Sequence, residues 1–211
     1  MNPMQPSDNQ MPGQPPSGAP PATTLSSINV DAARVAFTAP QNRPYLIAAI
    51  GGLVAFLSFL LFDFYGVSAT ALGVTRSDSF NGLGAAGSPG GYWLLWLAPL
   101  AALAALAIAS LITLGINAVR QITPANAGRT IVIAGAIGLV AEIIVAIKAN
   151  GDASSALGLT TNADLSALGI KISAGLGFGF WLMLLAFIAV IVGGVMNMRQ
   201  TQAVSMPGAA M

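Results

Sequence analysis

Four long apolar runs, each broken by few polar positions, dominate the chain. They cover residues 45–62, 92–116, 130–147 and 174–196. A helix rises about 1.5 Å per residue, so a run of roughly 18–20 apolar residues crosses the ~30 Å hydrocarbon core of a bilayer. Backbone groups find no water there, and the alternating segments of about ten residues that a β-barrel needs are absent from the sequence. The pattern predicts an all-α membrane protein, a four-transmembrane-helix bundle.

The remaining segments divide the chain into three parts. Residues 1–43 begin with a Pro- and Gln-rich stretch, which predicts a disordered cytoplasmic tail, and 31–37 (DAARVAF) suits a short interfacial helix with Asp31 as its N-cap. Residues 44–197 form the four-helix transmembrane domain, and 198–211 a short cytoplasmic tail. The first apolar run is not expected to be a cleaved signal peptide, since a long segment precedes it.

The basic residues indicate which side of the membrane each segment faces. Cytoplasmic flanks of membrane helices carry an excess of Lys and Arg. Five of the eight basic residues lie in the two tails and the short loop between the second and third runs, and three lie in the other two loops. This bias predicts that both termini face the cytoplasm and that loops 64–91 and 148–172 face outward.

The two outward loops resemble each other. Residues 66–84 align without gaps to residues 151–169, and both contain an Ala-Leu-Gly sequence at the same offset. This predicts two duplicated helical hairpins, as in the parallel repeats of some transporters. Chance is the alternative, because two loops rich in Gly, Ala, Leu, Ser and Thr match easily. Both interpretations stay open at this point.

Composition agrees with a lipid environment and excludes several chemistries. Hydrophobic residues make up 55% of the chain and charged residues 7%, against about 25% charged in a soluble domain. The chain has no Cys and no His, which excludes disulfides, thiolate nucleophiles, Cys or His zinc sites and Ser-His-Asp triads. A net charge of +1 gives no basic field for nucleic acid. We therefore expect no enzyme, cofactor, catalytic residue or metal site.

Glu142 is a charged residue well inside a predicted membrane helix. A carboxylate near the bilayer centre costs at least about 2.5 kcal/mol, so such groups pair, face the bundle or stay protonated. One hypothesis is an intramembrane proton or ion site, with Lys171 as a partner that reaches down from the outer side. The alternative is a protonated side chain that joins helices by bonding to Ser58, Ser110, Thr113 or a backbone carbonyl.

Small residues predict where the helices touch, because close approach drives helix association in lipid. Gly138 lies one turn from Glu142 on the same stripe of the third run. Gly175 and Gly179 form a small-xxx-small pattern at the start of the fourth. We interpret these residues as packing sites within one bundle rather than as a dimer face.

The fourth run (GFGFWLMLLAFIAVIVGGVM) and the small-residue outer loops are the features in which the chain resembles known proteins. It resembles uncharacterised bacterial four-helix integral membrane proteins with a Pro-rich cytoplasmic tail. The resemblance implies a bacterial cytoplasmic membrane and transfers no site residues. The plan is also similar to that of claudin-like proteins, but the Trp-Gly-Leu-Trp motif and paired Cys of that family are missing.

The function expected from these features is a structural or accessory interaction subunit. Its partners would be the lipid bilayer and a protein in the membrane, met through the outer loops or the tail. The alternative is a proton- or ion-coupled transporter or channel subunit that uses Glu142.

Overall fold

The structure is a computed structural model, which describes residues 35–36, 38–87, 92–115, 124–158 and 171–204. Most of the predicted N-terminal tail, residues 205–211 and the loop segments 116–123 and 159–170 lie outside the described residues. Of the predicted interfacial segment 31–37, Val35 and Ala36 are described and are helical.

Four helices are long and apolar enough to cross a membrane, as the sequence predicts. Helix α1 spans Arg43–Leu61, after a 3-10 turn at Pro40–Asn42. Helix α3 spans Leu97–Thr113 after a 3-10 turn at Tyr92–Trp96, helix α4 spans Pro124–Gly158, and helix α5 spans Phe178–Val204. A short helix α2, Gly82–Ala86, precedes α3. Helix α4 extends well past the predicted run 130–147, because its polar ends continue the helix beyond the apolar part.

The four long helices form a ring in chain order. Helix α1 packs against α3 and α5, and α4 packs against the same two helices. One cluster of buried residues, around Phe59, Leu95 and Phe187, fills the bundle near the C-terminal end of α1. A second cluster, around Ile131 and Val190, fills the opposite end.

Glycines on α1 and α5 allow these helices to approach closely. A Cβ added at Gly51 would lie 2.8 Å from the backbone oxygen of Ala186 on α5, and one at Gly52 would lie 2.7 Å from that of Ala102 on α3. From the other side, a Cβ at Gly193 of α5 would lie 2.6 Å from the backbone oxygen of Pro44 on α1. Backbone therefore contacts backbone at these crossings, as is typical of helices in lipid.

The all-α prediction is wrong in one respect, because the protein also has a three-stranded antiparallel sheet. Strands β1 (Asp63–Ala71), β2 (Val74–Asn81) and β3 (Lys171–Leu176) are arranged in the order β2-β1-β3. Only Phe62 separates β1 from α1, and only Gly177 separates β3 from α5. The sheet therefore continues the antiparallel pairing of α1 with α5 beyond the end of the bundle.

The turn between β1 and β2 explains why the hairpin is hard to find in the sequence. Leu72 and Gly73 both have positive φ, at 52° and 77°. Two-residue hairpin turns of this kind match the twist of the strands, and Asn-Gly or Asp-Gly is their usual signal. Leu is an unusual residue at the first position, so the turn gives no such signal here.

The described parts of the two outward loops differ in structure. Residues 66–73 form a strand and its turn, whereas the aligned residues 151–158 are the last two turns of α4. The rest of the second loop, up to residue 169, lies outside the described residues. The structure therefore gives the duplicated-hairpin prediction no support over the part that can be compared.

Two glycine substitutions test the close packing of α1 with α5. Gly193→Ala should lower the free energy of unfolding by about 1–3 kcal/mol, since its Cβ meets backbone that cannot move cheaply. Gly151→Ala, on an exposed turn of α4 with nothing within 4 Å of the new Cβ, should raise it by about 0.5–1 kcal/mol. Thermal or SDS unfolding in micelles, followed by circular dichroism, measures both. Equal effects of the two substitutions would contradict this packing.

Candidate functional site

Glu142 lies inside the bundle, on α4. Its side chain is completely buried, with 0% of its surface exposed. Gly138, one turn earlier on the same face, packs against the ring of Phe187 on α5, where an added Cβ would overlap the ring. Neither carboxylate oxygen of Glu142 has a hydrogen-bond partner among the described residues. Helix α4 therefore holds an unpaired polar group in an apolar interior, where such a group costs about 1–3 kcal/mol or more.

The expected partners of Glu142 do not reach it. Lys171 is exposed at the first position of β3 and pairs with Thr70, at the end of the strand away from α5. At about 3.3 Å per residue, its backbone lies roughly 17 Å beyond Leu176. The predicted Glu142–Lys171 pairing is not formed, because the segment before α5 is a strand that carries Lys171 away from the bundle.

The hydroxyls considered as helix-joining partners are not bonded to Glu142 either. Thr113 donates its hydroxyl proton to the backbone oxygen of Ala109 on its own helix, at 2.8 Å. The hydroxyl of Ser58 is buried and, like the carboxylate, has no partner in the described part of the chain. Glu142 therefore does not join helices through a side-chain hydrogen bond.

The three glycines named from the sequence lie in different settings. Gly138 is at the contact of α4 with α5, as described above. A Cβ at Gly179 would lie 2.8 Å from the backbone oxygen of Phe62, so this glycine lies where α1 ends against the start of α5. Gly175 is not a helix-packing residue: it lies in β3 opposite Gly66, and nothing is within 4 Å of its Cβ position. The small-xxx-small pattern crosses the junction of a strand and a helix.

A polar cluster joins the turn before α3 to α4 at the sheet end of the bundle. Asp152 accepts hydrogen bonds from the hydroxyl of Tyr92 and from the ammonium group of Lys148, both at 2.8 Å and both to Oδ2. The Lys148 ammonium also lies 5.0 Å from the centre of the Tyr92 ring. The Lys148 and Asp152 side chains are 45% and 50% exposed, so water weakens this ion pair. The cluster positions Tyr92 more than it stabilises the fold.

A cavity of about 220 Å³ lies between the sheet and the helices. Tyr65 on β1, Tyr92, and Val145 and Ala149 on α4 are among its lining residues. Val145 and Ala149 follow Glu142 by three and seven residues, so all three share one face of α4. The cavity is therefore on the sheet side of Glu142, along the same face of the helix.

Tyr65 is the polar residue that sequence reasoning missed. Its hydroxyl is buried and has no hydrogen-bond partner among the residues that the structure describes. Burial raises the pKa of Tyr65, and the negative charge of nearby Asp152 raises it further. In the sequence Tyr65 and Tyr92 suggest only aromatic residues at a membrane interface, and no motif marks them as neighbours.

The face of the sheet that carries residue 68 is rich in hydroxyls. Ser68, Ser77 and Ser173 stand side by side across the three strands, and the hydroxyls of Ser68 and Ser173 are 2.7 Å apart. In the next row, the hydroxyls of Thr70 and Thr75 are 2.9 Å apart. Strand β2 is exposed along almost its whole length. This exposed polar surface projects beyond the bundle.

Within the described ranges, no three Asp or Glu side chains are close enough to hold a metal ion. No protein-family model matches the sequence, and a search of curated proteins finds no match either.

The cost of the unpaired carboxylate can be measured. Glu142→Met should raise the free energy of unfolding by about 1–3 kcal/mol, because it replaces an unpaired buried polar group with an apolar side chain of similar size. Glu142→Gln keeps a polar group there and should change the stability little. Unfolding in micelles checks both variants. A loss of stability in Glu142→Met would mean that the carboxylate has a stabilising partner after all.

Proposed function

We propose that this chain is a multi-pass protein of a bacterial cytoplasmic membrane, with both termini in the cytoplasm, and that it serves as a structural or accessory interaction subunit. Its helices would be embedded in lipid, and its sheet would meet a protein partner outside.

The outer surface of the bundle suits lipid. Large apolar side chains such as Leu100 on α3, Ile133 on α4 and Leu185 on α5 are exposed around the ring of helices. Exposed apolar surface of this extent is rare on soluble monomers. At the sheet end, exposed Trp93 and Trp181 are the residue type found at membrane interfaces.

The distribution of basic residues supports the proposed orientation of the protein in the membrane. Arg43, Arg129 and Arg199 lie near the end of the bundle away from the sheet. The sheet end carries as many described basic residues, Arg76, Lys148 and Lys171, of which Lys148 is paired with Asp152. The excess lies in the whole sequence, where the two tails and the short loop between α3 and α4 hold five of the eight basic residues. Since Lys and Arg concentrate on the cytoplasmic side, the sheet is expected to face outward.

The proposed interaction role rests on the exposed edge of the sheet. In the order β2-β1-β3, the outer edge of β2 has no strand beside it among the described residues. Such an edge offers unpaired backbone groups to an extended segment of another protein. The sheet is firmly held, since the N–H of Gly177 donates to the backbone oxygen of Phe64 at 2.9 Å and the rings of Phe64 and Phe180 meet edge to face. At the end of the edge strand, the side-chain amide of Asn81 donates to the backbone oxygen of Leu60 at 2.8 Å, so β2 is also joined to the bundle at its base.

Intact mass of the protein, purified in native nanodiscs, tests this role. The wild-type chain should appear in a stable complex with another protein. Ser77→Lys places a charge on the exposed edge strand, where charges block strand addition, and should reduce the complex at least severalfold. Gln200→Lys adds the same charge at the other end of the bundle and should leave the complex intact. A wild-type chain found only as a monomer or homo-oligomer would contradict the proposal.

A second candidate function is supported by Glu142. The chain retains a buried carboxylate at a cost, which is the usual mark of a proton or ion site within membrane helices. The cavity on the same face of α4 is lined by Val145 and Ala149 but not by Glu142, so proton access from the sheet side would require these side chains to move. On this alternative the chain is a proton- or ion-coupled transporter or channel subunit.

Flux across reconstituted vesicles distinguishes the alternative. If Glu142 carries protons, Glu142→Gln should abolish proton flux, because the amide cannot exchange a proton at this position. The Gly151→Ala variant, far from the carboxylate, should keep the wild-type flux. Undiminished flux in Glu142→Gln would exclude the alternative.

A further inference from the structure

Strand β2 carries two opposite charges that the rest of the sheet leaves unmatched. Arg76 and Asp78 are both exposed, and because they are two residues apart they lie on the same face of the strand. Their neighbours across β1 are Ala69 and Val67, which carry no charge. Neither charge forms an ion pair with another residue in the described part of the chain. The open side of β2 is therefore where matching charges can be supplied.

The two-residue turn between β1 and β2 determines which backbone groups of β2 point outward. Such a turn is closed by a pair of residues that exchange both backbone hydrogen bonds, here Ala71 and Val74, and bonded and non-bonded pairs alternate from there. The even-numbered residues of β2 thus point their N–H and C=O groups toward β1, and the odd-numbered ones point theirs outward. The N–H of Ser79 agrees with this, since it donates to the side chain of Asp78 at 3.0 Å.

This alternation fixes what an added antiparallel strand would meet. Its residues opposite positions 75, 77 and 79 would exchange backbone hydrogen bonds with β2. Its residues opposite Arg76 and Asp78 would form non-hydrogen-bonded pairs, in which the side chains lie closer together. Opposite charges facing each other stabilise such a pair and like charges destabilise it. Val74 and Phe80 are exposed on the same face and favour apolar side chains at the two ends of the added strand.

The two charges also make the edge selective. Charged side chains on an edge strand keep unrelated strands away. A pair of opposite charges does more, because it rejects strands that present like charges and accepts a strand that presents the complementary ones. The carboxylate of Asp78 now accepts the outward N–H of Ser79. A carbonyl oxygen of the added strand would take over that N–H and free the carboxylate for a basic side chain.

We propose that the outer edge of β2 binds an extended segment of another protein, antiparallel to β2, whose side chains on one face read apolar, basic, acidic and apolar from its N-terminus to its C-terminus. The basic side chain would face Asp78, and the acidic one would face Arg76. The proposal rests on the interaction role proposed above and names the chemistry of the partner segment.

A second copy of the chain is the other occupant with this pattern, because β2 itself has Val74, Arg76, Asp78 and Phe80 at alternate positions. In an antiparallel pair, however, the strand of the second copy runs in the opposite direction. The strands β1 and β3 run out of the bundle directly from α1 and α5. The second copy would therefore have its own bundle at the far end of the sheet, outside the bilayer that holds the first, so we assign the edge to another protein.

Peptide binding to the full chain in nanodiscs tests the proposal. The probe is the peptide VTRSDSF, which copies residues 74–80 and has the required pattern. The control peptide, VTDSRSF, has the same composition with the two charges exchanged. Fluorescence anisotropy of the labelled peptides at low ionic strength measures the two Kd values. The probe should bind at least about fivefold more tightly, since two attractive pairs become two repulsive ones in the control.

Two further comparisons make the result specific. The double variant Arg76→Asp with Asp78→Arg should reverse the preference and bind VTDSRSF more tightly than VTRSDSF. N-methylation of the central Ser of the probe removes an N–H that faces β2 and should abolish binding. N-methylation of the Arg before it, whose N–H points away from β2, should change the Kd by less than about twofold. The comparison of the two peptides on the wild-type chain needs no variant to fold.

The outcomes separate this proposal from the interaction role on which it rests. Equal binding of the two peptides, tighter binding of the control, or no binding of the probe would overturn the proposed pattern. The interaction role itself is decided by the effect of Ser77→Lys on the native complex. Ser77→Cys gives the chain a single Cys, and a disulfide between two copies in nanodiscs would show that a second copy occupies the edge, which would also overturn the proposal. Tighter binding of the probe, with no such disulfide, supports it.

Discussion

The close antiparallel packing of α1 against α5 is the constraint on which the rest of the structure depends. Gly51 and Gly193 bring backbone against backbone at this contact, where lipid offers no hydrophobic drive and tight packing must supply the attraction. The two chains leave the bundle side by side and already antiparallel. Strands β1 and β3 need only extend this arrangement, and their register from Tyr65–Leu176 to Thr70–Lys171 follows from it. The sheet is thus a consequence of helix packing.

The packing of α1 against α5 also determines where the polar features of the protein lie. Because the sheet stands on α1 and α5, its residue-65 face covers the ends of α3 and α4 and roofs the cavity, while its hydroxyl-rich face stays exposed. Edge-to-face contact of Phe64 with Phe180 and the hydrogen bond from Gly177 hold the base of the sheet. Strand β2 is added through a two-residue turn and is left with a free outer edge among the described strands. One junction therefore positions both the proposed docking edge and the cavity.

Glu142 is the feature that this helix packing does not explain. Lys171 lies too far away, Thr113 is bonded to its own helix, and neither Ser58 nor Ser110 is bonded to the carboxylate, which therefore stays unpaired in the described interior. Such a group is hard to explain as structure alone, because an apolar side chain of the same size would pack at lower cost. Val145, one turn further along the same face of α4, lines the cavity, whereas Glu142 itself is completely buried and does not line it.

The sequence by itself determined the four membrane-length helices, their approximate bounds and the buried position of Glu142. Long apolar runs in lipid leave the backbone no alternative to a helix, so this information is local. Tertiary structure alone decided the sheet, the cavity and the setting of Lys171 and Gly175. The strands are weakly apolar, the Leu72-Gly73 turn lacks its usual signal, and Ser68 meets a partner 105 residues away. Such a pairing depends on the packing of α1 against α5, because no local preference of the chain encodes a contact between segments that distant.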